Sequence, residues 1–276
     1  MGDVPEGDGP VLECVINVSE GRDEAAIAAI GATAAAALLD VHSDPWHNRS
    51  VFTLAGTPGT VAAAARALAL EAVRRLDLGR HEGVHPRLGV VDVVPFVPYA
   101  GGVTMAEAVE ERAGFARWLG EEVGVPCFCY GPERSLPEVR RRAFVDLAPD
   151  FGPPSPHPTA GACCVGARDV LVAYNLFVAE PLEQASAVAR ELRRPEVRAL
   201  GLQVGDLAQV SCNLIAPDRF GPAEAYDFVA ARATVRRAEL VGLLPEAVLE
   251  RIAKRRRSEL DVAEERTIER RLATAG

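Results

Sequence analysis

Short apolar, β-branched runs alternate with alanine-rich stretches in one order, and that order occurs twice; no other feature restricts the fold of this chain as much. Runs over 11–18, 38–42, 50–55 and 88–97 read as strands, and stretches over 24–37 and 61–76 read as helices, with Ser19-Glu20-Gly21-Arg22-Asp23 turning into the first helix. That is β-α-β-β-α-β, a ferredoxin-like unit whose helices share one face of a mixed sheet and leave the other face free. After a glycine turn at 100–102, Thr104 is expected to cap a helix to about residue 122, and a strand follows over 125–130. Residues 131–158 break the pattern with Arg140-Arg141-Arg142 and a proline-rich run from Pro149 to Pro158, read as a helix over 137–144 and then a connector. The grammar returns with strands over 169–178, 199–204, 208–215 and 238–241 and helices over 182–193 and 223–236.

The fold class is therefore α/β (α+β), with two ferredoxin-like subdomains over 11–158 and 159–245 and a ligand cleft between them. Residues 1–10, rich in Gly, Pro and Asp, are expected to form a disordered tail. Mixed charges over 246–276 suggest a solvated C-terminal helix, with a dimer contact as the second reading. No run approaches membrane-spanning length and the first residues hold no apolar leader, so a cytoplasmic protein is expected. A net charge of -9 argues against nucleic acid as the partner and leaves a small molecule or another protein.

Chemistry concentrates in His81-Glu82-Gly83-Val84-His85-Pro86-Arg87, directly ahead of the 88–97 strand. A histidine on a loop held by a rigid strand can take and return a proton near neutral pH, and an arginine beside it suits a carboxylate. The alternative reading is that both histidines bond only to backbone. Of the six cysteines, Cys14, Cys127, Cys129 and Cys212 sit in strand-like runs as small hydrophobes, whereas Cys163 and Cys164 fall in a glycine-rich loop and could line a site. Lys254 is the single lysine and lies in the charged C-terminal stretch, which disfavours Schiff-base chemistry.

Several segments, in consistent order from residue 11 to about 250, together resemble one family. They include Glu13-Cys14-Val15-Ile16-Asn17-Val18-Ser19-Glu20-Gly21-Arg22, His47-Asn48-Arg49-Ser50-Val51, His81 to Pro98, Pro149-Asp150-Phe151-Gly152-Pro153, Gly161 to Arg168, Gln209-Val210-Ser211-Cys212-Asn213-Leu214 and Glu239-Leu240-Val241-Gly242-Leu243-Leu244-Pro245. The family is the formiminotransferase domain of glutamate formiminotransferases, folate enzymes of histidine breakdown. In animals the domain is fused to a cyclodeaminase, which is expected to be absent here. The resemblance implies a homodimer of two-subdomain chains with tetrahydrofolate as co-substrate in the cleft, transfer of a formimino group from N-formiminoglutamate to N5, and no metal. It places the catalytic histidine at His85 and a folate-contacting loop at about 157–166, which contains His157, Gly161, Ala162, Cys163, Cys164 and Gly166. Arg49, Arg87 and Arg168 are candidates for substrate carboxylates by charge and position, and Asn48 is either a ligand contact or a turn residue.

One departure stands out. Where the family reads Asp-Val-Asp, this chain has Asp40-Val41-His42, so an acidic residue of the active centre is replaced by His42, which would not raise the pKa of His85 as a carboxylate would. Formyl rather than formimino transfer, a folate-binding paralogue without the activity, and a metal-dependent hydrolase or cyclohydrolase using His42, His47, His81 and His85 are the alternatives.

Overall fold

The structure, a computed structural model, describes residues 9–275; apart from the exposed Gly9 and Pro10, the expected N-terminal tail lies outside the described residues. The first sheet holds β1 (Val11–Val18), β2 (Leu38–Asp44), β3 (Arg49–Gly56), β4 (Val91–Ala100), β5 (Cys127–Tyr130) and β6 (Cys163–Ala167), in the order β2-β3-β1-β4-β6-β5. The second holds β7 (Val172–Val178), β8 (Val197–Val204), β9 (Leu207–Leu214) and β10 (Val235–Val241), in the order β10-β7-β9-β8. In both, the fourth strand of the unit lies beside the first, the first beside the third and the third beside the second. The repeat seen as a pattern of runs is thus a repeat of topology.

Period-two alternation sets which face each residue serves. On β1, Leu12, Cys14, Ile16 and Val18 are fully buried beneath α1 (Glu24–Ala32), α2 (Pro58–Arg75) and α3 (Met105–Glu121). Each such side chain contributes about 1.5–3 kcal/mol of burial. Helix starts follow their caps: the Asp23 carboxylate accepts from Ala26 N, Thr57 caps α2 ahead of Pro58, and Thr104 makes a capping box with Glu107. On the second sheet, Tyr174, Leu176, Val210, Cys212 and Leu240 pack beneath α5 (Leu182–Leu192) and α6 (Pro222–Ala230).

The opposite faces of the sheets meet. Leu39 and Ala55 of the first pack with Leu243 and Ile268, an ideal Cβ on Gly242 would lie 3.2 Å from Thr53 Oγ1, and Trp46 rests against Gly205. At the other end of the first sheet this face is covered by its own chain, where Val139 of α4 (Leu136–Arg142) packs with Val93, Phe128, Tyr130 and Cys164.

Three expectations are corrected. Cys163 to Ala167 form no loop: they are the buried strand β6, parallel to β4 and β5 and lying between them. A strand covered on both faces reads as a continuous run of small apolar residues, which is why its glycines suggested a loop. Because β6 belongs to the first sheet, the change of sheet falls after Ala167 and not at Pro158. The proline-rich connector is ordered, with Asp150 accepting from Cys129 N at 2.7 Å and Phe151 seated against Gly120. The C-terminal stretch is no continuous helix either. It runs as α7 (Glu246–Glu250), 3-10 turns at Lys254–Arg256 and Glu264–Arg266, and α8 (Ile268–Ala275). Leu260 and Val262 must reach the second core, and the chain bends between them at Asp261, whose φ is 53°. Boundaries elsewhere move by a few residues: α1 stops at Ala32, and β10 begins at Val235, where α6 was expected to continue. No helix among the described residues is long and apolar enough to cross a membrane.

Candidate active site

The loop ahead of β4 is tied down by its own arginine. Arg87 donates through Nη2 to the carbonyls of Gly83, at 2.6 Å, and His85, and through Nη1 to His81 Nδ1. His81 Nε2 lies 2.7 Å from the carbonyl of Asn48, so its two contacts agree on one neutral tautomer, with the proton on Nε2. Burial, then the nearby Arg87 charge, lowers the His81 pKa and favours that neutral form. Asn48 has a φ of 48°, a conformation asparagine tolerates, and its amide accepts from Gly21 N and donates to the Glu82 carbonyl. It is the turn residue, stapling three segments together.

Behind the loop stands Asp92, fully buried on β4. Its Oδ2 accepts from Arg49 Nη1 at 2.8 Å and Arg140 Nη2 at 2.6 Å, and its Oδ1 from Leu88 N at 2.8 Å. Burial alone would push this carboxyl up, but the two guanidiniums outweigh it and hold the pKa below the ordinary carboxylate value. Arg49 also donates to Asn17 Oδ1 at 3.0 Å, and its Nη1 lies 3.1 Å from His85 Nδ1.

That Nδ1 is 2.8 Å from the carbonyl of Pro86, which also accepts from Arg140. The carbonyl asks for a proton on Nδ1 and the Arg49 N–H for a lone pair there; the shorter contact, to Pro86, favours the Nδ1–H tautomer, which leaves the lone pair on Nε2. Burial, followed by the Arg49 charge, holds the His85 pKa well below the ordinary histidine value. At neutral pH the ring is therefore a neutral, partly exposed base. The His47 ring lies 5.7 Å away, centroid to centroid.

A second feature sets this region apart. Among the described residues, the buried side-chain polar atoms without a hydrogen-bond partner are Glu13 Oε2, His47 Nε2, Thr53 Oγ1, both amide atoms of Gln209, and Arg112 Nε. Strand alternation puts Glu13, Thr53 and Gln209 on the facing sides of the two sheets, and His47 looks toward Gln209, close enough for the amide to bear on the imidazole. An unpaired buried polar group costs about 1–3 kcal/mol. Glu13, Thr53, His47 and Gln209 thus leave polar atoms without hydrogen-bond partners on the facing sides of the two sheets.

The structure brings together His85, Arg49, Asn48 and Arg87 of the expected residues; Arg49 is engaged by Asp92 and Asn17, and Arg87 fastens the loop. His42 lies elsewhere on the inter-sheet face, with Nε2 3.9 Å from Glu239 Oε1 of β10. Arg168 donates to the Asp169 carbonyl and bears electrostatically on Glu13. His157 closes a turn, its Nδ1 accepting from Ala160 N at 3.0 Å. Gly161, at φ +70°, packs on the Leu88 carbonyl, and Ala162, Cys163 and Cys164 are buried. An ideal Cβ on Gly166 would lie 2.1 Å from Tyr130 Cζ, so that glycine makes room for Tyr130. Among the described residues, no three His, Cys, Asp or Glu side chains converge as metal ligands would.

Asp92, Arg140, Gln209 and Glu13 were not singled out as site residues, and His47 entered only as a ligand of the metal-dependent alternative. Asp92 was detectable as the one acid inside the apolar 88–97 run, and Glu13 likewise at the start of β1. Arg140 carried no signal beyond its place in a basic run.

The sequence is similar to known proteins over most of its length. The family model described as the formiminotransferase domain, N-terminal subdomain, matches residues 11–168, the span of the first sheet together with its covering segments. The chain is 36% identical to "Glutamate formimidoyltransferase" of Streptococcus pyogenes serotype M1, over 88% of this chain and 92% of that one. It is 34% identical to the protein of the same name from Thermoplasma acidophilum, over 88% and 91%. With "Formimidoyltransferase-cyclodeaminase" of Sus scrofa it shares 37% identity over 85% of its own length, spanning 50% of that protein. By both measures, this chain belongs to the formiminotransferase domain family.

Proposed function

We propose that this chain transfers the formimino group of N-formiminoglutamate to N5 of tetrahydrofolate, the step that ends in glutamate during histidine breakdown, with tetrahydrofolate as co-substrate. The observation that carries the reading is the placing of His85: kept neutral by burial, held at Nδ1 against the Pro86 carbonyl and Arg49, and with no contact of that kind at Nε2. As N5 attacks the formimino carbon, Nε2 takes the proton that N5 loses. When the carbon–nitrogen bond to glutamate breaks, the same nitrogen returns that proton to the departing amine, so the imidazole ends as it began. No covalent link to the protein is needed. Asp92, Arg49 and Arg140 act at one remove, by holding the Pro86 carbonyl and the ring. The polar atoms left unpaired between the sheets support that space as the binding region for pterin and substrate. A carboxylate is still present beside His42, that of Glu239 on β10 at 3.9 Å, and this supports assigning Glu239 the part of the acidic residue that the family carries on β2. We take the active form to be a cytoplasmic homodimer.

Steady-state transfer with metal chelated tests the reading. Wild type should turn over and His85→Ala should lose about 10²–10⁴-fold in kcat. The acid limb of kcat/KM should lie below pH 6.5, because the free-enzyme imidazole stays unprotonated until well under its ordinary value. His42→Asp should give little gain if Glu239 already supplies the carboxylate. Absence of wild-type transfer would sink the assignment.

A further inference from the structure

Glu13 is a buried carboxyl that nothing in the proposed chemistry uses. It lies on the face of β1 opposite Leu12 and Cys14, between Ala55 of β3 and Val97 of β4, and Ala55 packs in turn on Leu243 and Ile268. The side chain therefore points into the space between the sheets. It is 4% exposed, and its Oε2 has no hydrogen-bond partner among the described residues. The charged groups that bear on it are Arg168, which follows β6, and Glu269 of α8, whose carboxylate is already held by Tyr99. One attracts and one repels, and neither gives Oε2 a hydrogen bond.

We propose that Glu13 is a specificity residue that reads the donor edge of the pterin, accepting from its ring N–H and its 2-amino group. The proposal rests on the transfer reading above and adds to it an orientation for the folate. The distance decides which substrate reaches Glu13. Asn17 touches Arg49, which lies against His85, and Glu13 is four residues further along β1, or about 13 Å at ~3.3 Å per residue. The formimino carbon must sit at His85, and so cannot also lie at Glu13. N-formiminoglutamate offers otherwise only carboxylates, which a carboxylate would repel. A pterin with N5 at His85 extends its pyrimidine ring away from N5 and presents there two parallel N–H donors, the geometry that a carboxylate accepts in pairs. Thr53 Oγ1, unpaired on the neighbouring strand, lies along the same path.

Burial pushes the Glu13 carboxyl up to about 7, with Arg168 lowering and Glu269 raising it more weakly. Donor N–H groups favour the ionised form, so folate binding should tighten as pH rises through that value. The experiment is anaerobic titration of wild type, Glu13→Gln and Glu13→Asp with tetrahydrofolate and with its 2-desamino analogue, between pH 6 and 8.5, beside steady-state KM values for both substrates. Expected are a loss of about tenfold to a hundredfold in tetrahydrofolate affinity for Glu13→Gln at pH 8, a flattened pH dependence and an unchanged KM for N-formiminoglutamate. The desamino analogue should bind wild type more weakly by a similar factor while Glu13→Gln hardly distinguishes it. Glu13→Asp keeps the charge and should retain the pH dependence at reduced affinity, which a purely structural role would not do. Equal tetrahydrofolate affinity in wild type and Glu13→Gln, or a shift in the KM for N-formiminoglutamate instead, overturns this assignment alone. Failure of wild type to bind tetrahydrofolate overturns the transfer reading and this one with it.

Discussion

Asp92 has no exposed surface, two guanidiniums on one oxygen and a backbone amide on the other. Removing the charge would strand Arg49 and Arg140 with no carboxylate in a dry site. Asp92→Asn should therefore cost about 3–5 kcal/mol, read by urea unfolding, a larger loss than any surface ion pair of this chain would give. Because the carboxyl is held below its ordinary pKa, that contribution is fully present at neutral pH and disappears only as pH falls below the usual carboxylate range. At this scale the sequence was half legible. His85, Arg87 and Gly83 stand close together along the chain, so spacing and residue type exposed them. The Asp92–Arg140 contact spans an intervening helix, strand and turn, and no local pattern announces it. The same limit hid the pair His42–Glu239, whose members lie on different sheets.

Among the elements, β6 shows how packing overrides local pattern. Gly-Ala-Cys-Cys-Val-Gly carries the small residues of a loop, yet β4 and β5 flank it and side chains cover both faces. Gly166 is the clearest instance, since the Tyr130 ring occupies the volume a side chain would need. Gly166→Ala should destabilise the protein by about 1–3 kcal/mol through overpacking, and the loss should be largely recovered when Tyr130 is shortened to Leu in the same chain. A double-mutant cycle in urea measures the coupling; additive losses would mean that the ring is not what the glycine accommodates. The strands and helices of the two repeated units were legible to within a few residues because alternation and caps such as Thr104 and Asp23 are local signals. The strand between β4 and β5 was not, because its reason for being a strand is its neighbours.

Across the whole molecule, the second core depends on residues from the C-terminal stretch. Leu260 and Val262 are buried in it, and Tyr174 donates to the Leu260 carbonyl at 2.8 Å. Leu260→Ala should cost about 2–5 kcal/mol, seen as a fall in the urea midpoint, whereas a solvated helix would register almost nothing. The charges of this stretch masked its role. Arg256 and Arg266 are spent on Asp227 and Asp261, which lets the apolar residues between them turn inward.

The last helix then returns to the first sheet: Ile268 sits on Leu39 and Ala55, Tyr99 donates to Glu269 at 2.5 Å, and Arg271 lies 3.6 Å from Asp40. The polypeptide thus passes from one sheet to the other after β6 and comes back at α8, near the opposite margin. Two plates joined at one corner can swing in any direction, but plates fastened at two distant points can only turn about the line that joins those points or shear past one another. Any parting of the inter-sheet face must then follow that line unless α8 lets go of Leu39 and Ala55.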